Sequence, residues 1–223
     1  MAYAALVPGT REKQPIEWFI KNRIKQGLCE VCGSIMDIRA QYSTDRPAHL
    51  YHPKNTVCPT KFENHKRYEH LTARYFDESQ GLIIRQDVQE NLFNIYLACA
   101  SIVGKNLIFD NFKKLISEAT KKKVWDYKGI SLNYVPYILL SLNDGFFEAK
   151  FRNEETKKYE ETKFFIALEP GVKYFDDLWI EANQKKIIWK IAKNGEPLET
   201  LKINEDLVII PSWFKKFQQD IKL

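Results

Sequence analysis

Between positions 29 and 58 the chain gathers three thiols and two imidazoles: Cys29, Cys32, His49, His52 and Cys58. Two cysteines with two residues between them can both reach one ion from a tight turn, and Gly33 lets the backbone make that turn. A second pair from elsewhere must complete a tetrahedron. His52 and Cys58, separated by five residues, supply it, and His49 is the alternate imidazole. Pro53 and Pro59 hold the residues before them out of helices. The spacing therefore predicts a zinc ion bound by Cys29, Cys32, His52 and Cys58. Four protein ligands leave no open position, so the expected metal is structural. Two competing readings are buried thiols beside surface histidines, and a redox Cys-x-x-Cys. The downstream histidine and cysteine favour the metal over both. Cys99 falls within an apolar stripe and reads as a core cysteine.

A second chemistry is weaker. Asp144, Glu148 and Lys150 in "LNDGFFEAKF" fit a restriction-type nuclease, in which acids hold magnesium and a lysine steadies the attacking water. Glu148 and Lys150 would share one side of a strand. With 29 acidic and 34 basic residues in 223, however, chance alone yields about four acid-x-base triplets. Others begin at Asp126, Glu155, Glu161 and Asp220. An HNH-type reading of "HLYHPKN" lacks a second Cys-x-x-Cys.

Elements must position these groups. "PIEWFIKNRIKQG" reads as a helix, with Pro15 in its first turn and Gly27 at its exit. A helix is expected from Lys61 to Phe76, with Glu63, Arg67, His70 and Arg74 along one face. Lys66, Arg67, His70 and Arg74 are there the candidate phosphate contacts, set among aromatics. "ESQG", Glu78 to Gly81, is the one plausible linker. "DVQENLFNIYLACASIVGKN" reads as a single helix capped by Asp87 and Glu90, and "FDNFKKLISEATKKK" as another. Beyond these the period changes. "YILLSLNDGFFEAKF" suggests two strands, "YEETKFFIAL" a third, and "IIWKIAKNGEPLETLKI" a hairpin turning at Asn194-Gly195. "SWFKKFQQDIKL" reads as a final helix capped by Ser212. The expected class is α+β: a small zinc-binding module over 1–80, then over 81–223 a helical segment, an antiparallel sheet and a C-terminal helix.

Length and composition are those of a globular chain with a real core, at 44% hydrophobic and 13% aromatic residues. The net charge of +5 permits nucleic-acid binding without demanding it. No apolar run approaches the roughly 18 residues of a membrane span, and the first residues are too short for a signal segment. The expectation is a cytoplasmic protein with reduced cysteines.

At "AYAALVPG", "CEVCG", "HLYH", Cys58 and "ENHKRYEHLTARYF" the chain resembles the N-terminal zinc-finger region of the CoiA-like competence protein family, over about residues 1–77. The resemblance implies a zinc-ribbon-like fold and an association with DNA handling; the processes considered for the chain are DNA uptake, a mobile element or phage defence. It assigns Cys29, Cys32, His52 and Cys58 to the metal, His49 to the paired histidine, and Glu63, His70 and Arg74 to a helical stripe. Two features depart from the pattern. Few basic residues beyond Arg39 and Arg46 lie between Cys32 and His49, and the family's nuclease-like domain has no recognised counterpart downstream. The expected function is thus a zinc-stabilised nucleic-acid-binding accessory protein, with DNA favoured over RNA. The alternatives are a protein-interaction adaptor and a metal-dependent nuclease.

Overall fold

A computed structural model describes residues 2–61, 64, 70–104, 107–143, 145–152, 159–180 and 187–201. The class is α+β, and among the described residues the apolar interior forms two clusters.

The first cluster is built by short strands. β1 (Ala4–Leu6) pairs antiparallel with β2 (Lys13–Pro15) and with β3 (Gln26–Leu28). β4 (Ile35–Arg39) pairs with β3 and with β5 (His49–Tyr51). Leu50 then exchanges two backbone hydrogen bonds with Ala2, at 3.1 and 2.8 Å, so the order β2-β1-β3-β4-β5 curls back on itself. Strands this short cannot stand alone. They close around Ala5, Ile16, Phe19, Met36 and Leu50, all nearly fully buried.

The helix expected from Pro15 is only α1 (Ile16–Lys21). Ile16 and Phe19 share its buried face. The Asn22 side chain donates to the Trp18 carbonyl at 2.8 Å, and Arg23 takes a left-handed φ of 56°. Gly27 is no helix exit. It lies in β3, where an added Cβ would stand 2.6 Å from the Ala5 Cβ and 3.2 Å from the Phe19 ring. Glycine is needed there for close approach of the chains.

The second cluster begins at Leu71 and Ala73 and runs to Ile191. Glu78 to Gly81, expected as a linker, is the first turn of α2 (Glu78–Glu90). Asp77 caps that helix, its carboxylate accepting from Gln80 N at 3.1 Å and from the Ser79 hydroxyl at 2.6 Å. The expected Asp87–Glu90 cap falls in the last turn of α2. What reads as one helix is two, because Asn91 interrupts it before α3 (Leu92–Val103), its side chain donating to the Asp87 carbonyl at 2.9 Å. Cys99 is fully buried in α3. α4 (Phe109–Lys121) packs Phe112, Leu115, Ile116 and Ala119 inward, as its period requires.

"VPYILLS" is helix α5 (Val135–Ser141), with every residue buried, and not a strand. Periodicity cannot tell an apolar run of that length from a buried strand; Pro136 in its first turn suits the helix. A sheet of β6 (Phe147–Arg152), β7 (Tyr159–Leu168), β8 (Ile188–Ala192) and β9 (Pro197–Leu201) follows in that order, antiparallel throughout. The β8–β9 turn contains Asn194-Gly195, with Gly195 at φ 91°. α6 (Asp177–Ile180) precedes β8. Trp189 on β8 packs against both clusters. The helix expected at Ser212 lies outside the described residues.

Candidate metal centre

Two loops of the first sheet deliver the cysteine pair and its partners. The turn between β3 and β4 is closed by Cys29 N to Ser34 O at 2.9 Å and Gly33 N to Cys29 O at 2.8 Å. Gly33 has φ 69°, the left-handed conformation that lets the turn tuck under its thiolates. His52 follows β5 directly, and Cys58 stands where the Asn64 side chain donates to the Cys58 and Thr56 carbonyls at 2.8 and 3.1 Å.

The donor atoms of Cys29, Cys32, His52 and Cys58 all lie within 4.8 Å of one another. Cys29 and Cys58 Sγ are 3.8 Å apart, and Cys32 Sγ is 3.4 Å from His52 Nε2. Thiolates ~2.3 Å from one tetrahedral ion stand about 3.8 Å apart, and a thiolate and an imidazole nitrogen about 3.5 Å. The donor set thus fits one tetrahedral ion. None of the four cysteines is in a disulfide.

The side chains polarise one another strongly. Hydrogen bonding to Cys32 and then Cys58 pushes the Cys29 thiol up. Cys32 is held well below the usual thiol range, first by its hydrogen bond with Cys29 and then by Cys58. Burial lowers the His52 pKa, but hydrogen bonds with Cys32 and Cys58 outweigh it and raise that pKa to about 9. The Thr60 hydroxyl, 3.1 Å from Cys58 Sγ, can donate to a ligating thiolate, an outer contact of the kind that orients metal ligands. Burial alone pushes Cys99 up, and it stays in the other core.

His49 is outside the cluster. It is buried on β5, and its Nδ1 lies 3.1 Å from the Pro47 carbonyl. A carbonyl only accepts, so Nδ1 carries the hydrogen. His49 and His52 are three residues apart, and the strand ends between them.

The expected helix from Lys61 to Phe76 does not reach its end. Leu71 to Phe76 are not helical, and Phe76 pairs with Tyr127 in an isolated bridge. Arg74 is no free phosphate contact. Its guanidinium donates to Asp177 Oδ1 at 2.6 Å and to Asp176 at 3.3 Å, and it lies over the Tyr174 ring. His70 is exposed. Glu63, Lys66 and Arg67 lie outside the described residues. So does Asp144 of the nuclease triad. Glu148 is exposed on β6 and pairs with Lys163 at 3.2 Å. The side chain of Lys150, on the same strand, lies outside the described residues. Among the described residues the one group of three or more metal-ligating side chains is the Cys3His cluster.

Sequence reasoning passed over a cleft of about 650 Å³ beside β4 and β5, lined by Tyr3, Arg39, Arg46, Pro47, His49 and Tyr51 among others. Its signal in the sequence is Arg39 and Arg46, the two basic residues between Cys32 and His49. No helix among the described residues is long and apolar enough to cross a membrane. Comparison with family models, with curated proteins and with solved structures gives no match.

Proposed function

We propose that this chain is a zinc-stabilised nucleic-acid-binding accessory protein of the cytoplasm. Zinc at Cys29, Cys32, His52 and Cys58 fits the soft thiolate-rich donor set and the tetrahedral spacings. Four protein ligands give the ion an architectural role, worth on the order of 10 kcal/mol in isolated modules. The cytoplasm suits four unpaired cysteines.

The observation that carries the nucleic-acid reading is the setting of Arg39 and Arg46. Both belong to the β4–β5 hairpin, which the cluster anchors through His52. Among the described residues no carboxylate pairs with either guanidinium. Guanidinium groups that no carboxylate neutralises suit phosphates. Arg74, already engaged by Asp176 and Asp177, does not enter the reading. The resemblance to the competence family supports DNA over RNA, and the processes we propose for it are DNA uptake, a mobile element or phage defence.

A second reading, an adaptor that binds protein, draws on Leu82 and Ile83. They stand 69% and 62% exposed side by side on α2.

Elemental analysis and a salt titration test the proposal together. Purified full chain should carry about one zinc, and its affinity for an oligonucleotide should fall linearly with log salt. A flat slope, or no binding at low salt, overturns the nucleic-acid reading. A chain purified free of zinc overturns the metal.

A further inference from the structure

We infer that the cleft between the N-terminal strand and the β4–β5 hairpin binds one nucleotide unit of a single-stranded nucleic acid, its phosphate on Arg39 and Arg46 and its base against Tyr3. This rests on the nucleic-acid reading and deepens it.

The cleft's volume, about 650 Å³, lies within the ~300–1,000 Å³ of ligand pockets. No acidic residue lines it. Its walls are fixed by local chemistry. Ala40, at φ 58°, turns the chain out of β4 in a left-handed conformation that costs a residue with a side chain energy. The Ser43 hydroxyl accepts from Asp45 N and Arg46 N, each at 3.2 Å, which sets the backbone of Arg46. Pro47 follows and fixes the next φ. Its carbonyl takes the His49 Nδ1 hydrogen at 3.1 Å, which orients the ring.

Arg39 and His49 are direct cross-strand partners, as are Asp37 and Tyr51. The Arg39 guanidinium lies 4.2 Å over the Tyr51 ring. Stacking orders the guanidinium and leaves its N–H edge for an anion. Arg46 adds a second fork of donors. Tyr3, 40% exposed, brings an aromatic ring to the cleft wall. Together these give two planar cations for a phosphate and one ring for a base, with the His49 imidazole in the wall. A ring stacks on a base only when that base is free of its own neighbours, so the cleft selects single strands over duplex.

The test measures binding of fluorescein-labelled dT8 to the zinc-loaded full chain, with competition by a 20-base-pair duplex and by thymidine monophosphate. Tyr3→Ala should weaken dT8 about tenfold with the salt slope unchanged, as for one lost stacked base. Arg46→Gln should weaken it similarly and flatten the log–log slope by about 0.7, the share of one phosphate on a single strand. Lys113→Gln, on α4, removes the same charge and should change binding by less than about twofold. Zinc content and melting temperature should match wild type in all three, which separates lost contacts from lost fold. If both cleft variants bind dT8 as wild type does, the cleft is overturned while the nucleic-acid reading stands. If wild type binds no oligonucleotide at low salt, both fall. Duplex competing as well as dT8 overturns the single-strand assignment. Thymidine monophosphate competing as well as dT8 assigns the cleft to a free nucleotide and overturns the strand.

Discussion

Cys58 and His49 are nine residues apart and both buried, yet only Cys58 has its donor atom among the other thiols and His52 Nε2. Substitution separates their roles. Cys58→Ser should reduce bound zinc from about one per chain to well under half, because a serine hydroxyl replaces a soft thiolate ligand. His49→Gln and Cys99→Ser should retain the full equivalent, measured by elemental analysis of the purified proteins. Zinc retained in Cys58→Ser would remove Cys58 from the ligand set. The spacing of the cysteines made the first half of this cluster legible. Between two histidines it left a choice that the strand alternation and the end of β5 decide. The pairing of Arg74 was not legible, since Asp176 and Asp177 lie about a hundred residues further along the chain.

At the scale of elements, two contacts lock the start of the second core. Arg74 neutralises the buried carboxylates Asp176 and Asp177, which also accept backbone N–H groups of Arg74 itself and of Lys173 and Tyr174. Arg74→Gln leaves both carboxylates without their cation, and an orphaned buried charge destabilises strongly. The expected result is a melting temperature lower by several degrees with zinc content and dT8 affinity unchanged. A selective loss of dT8 affinity would instead return Arg74 to the nucleic-acid surface. Gly81 is the second lock. A Cβ there would collide with Asp126 Oδ1, which is buried and held by Arg85 at 2.7 Å. Gly81→Ala should therefore destabilise by about 1–2 kcal/mol in denaturant unfolding, although alanine favours a helix. Stabilisation would show that Asp126 moves aside at little cost. In the sequence, Gly81 looks like punctuation within "ESQG", because the carboxylate it makes room for is 45 positions away.

For the whole molecule, the two apolar clusters have one side chain in common among the described residues, Trp189. The candidate metal site belongs to the smaller cluster, whose strands are three to five residues long. Removing zinc with a chelator should abolish amide protection across residues 2–58 while most protection in α3, α4 and β7 survives, read by hydrogen exchange with mass spectrometry. Simultaneous loss in both clusters would show that Trp189 and its neighbours couple them into one cooperative unit.

The sequence by itself determined the α+β class, the Cys3His set with one histidine in question, the helix of "FDNFKKLISEATK" and the turn at Asn194-Gly195. Each of these is written in neighbours a few residues apart: ligand spacing, a 3.6-residue period, a φ > 0 turn. Tertiary structure alone decided that α5 is a helix and not a strand, that Glu78 to Gly81 is helical, that Arg74 is spent on an internal ion pair, and that Tyr3 meets Arg39, Arg46 and His49 around one cleft. Those outcomes depend on which distant side chain arrives at a given place, and short-range patterns carry no record of it.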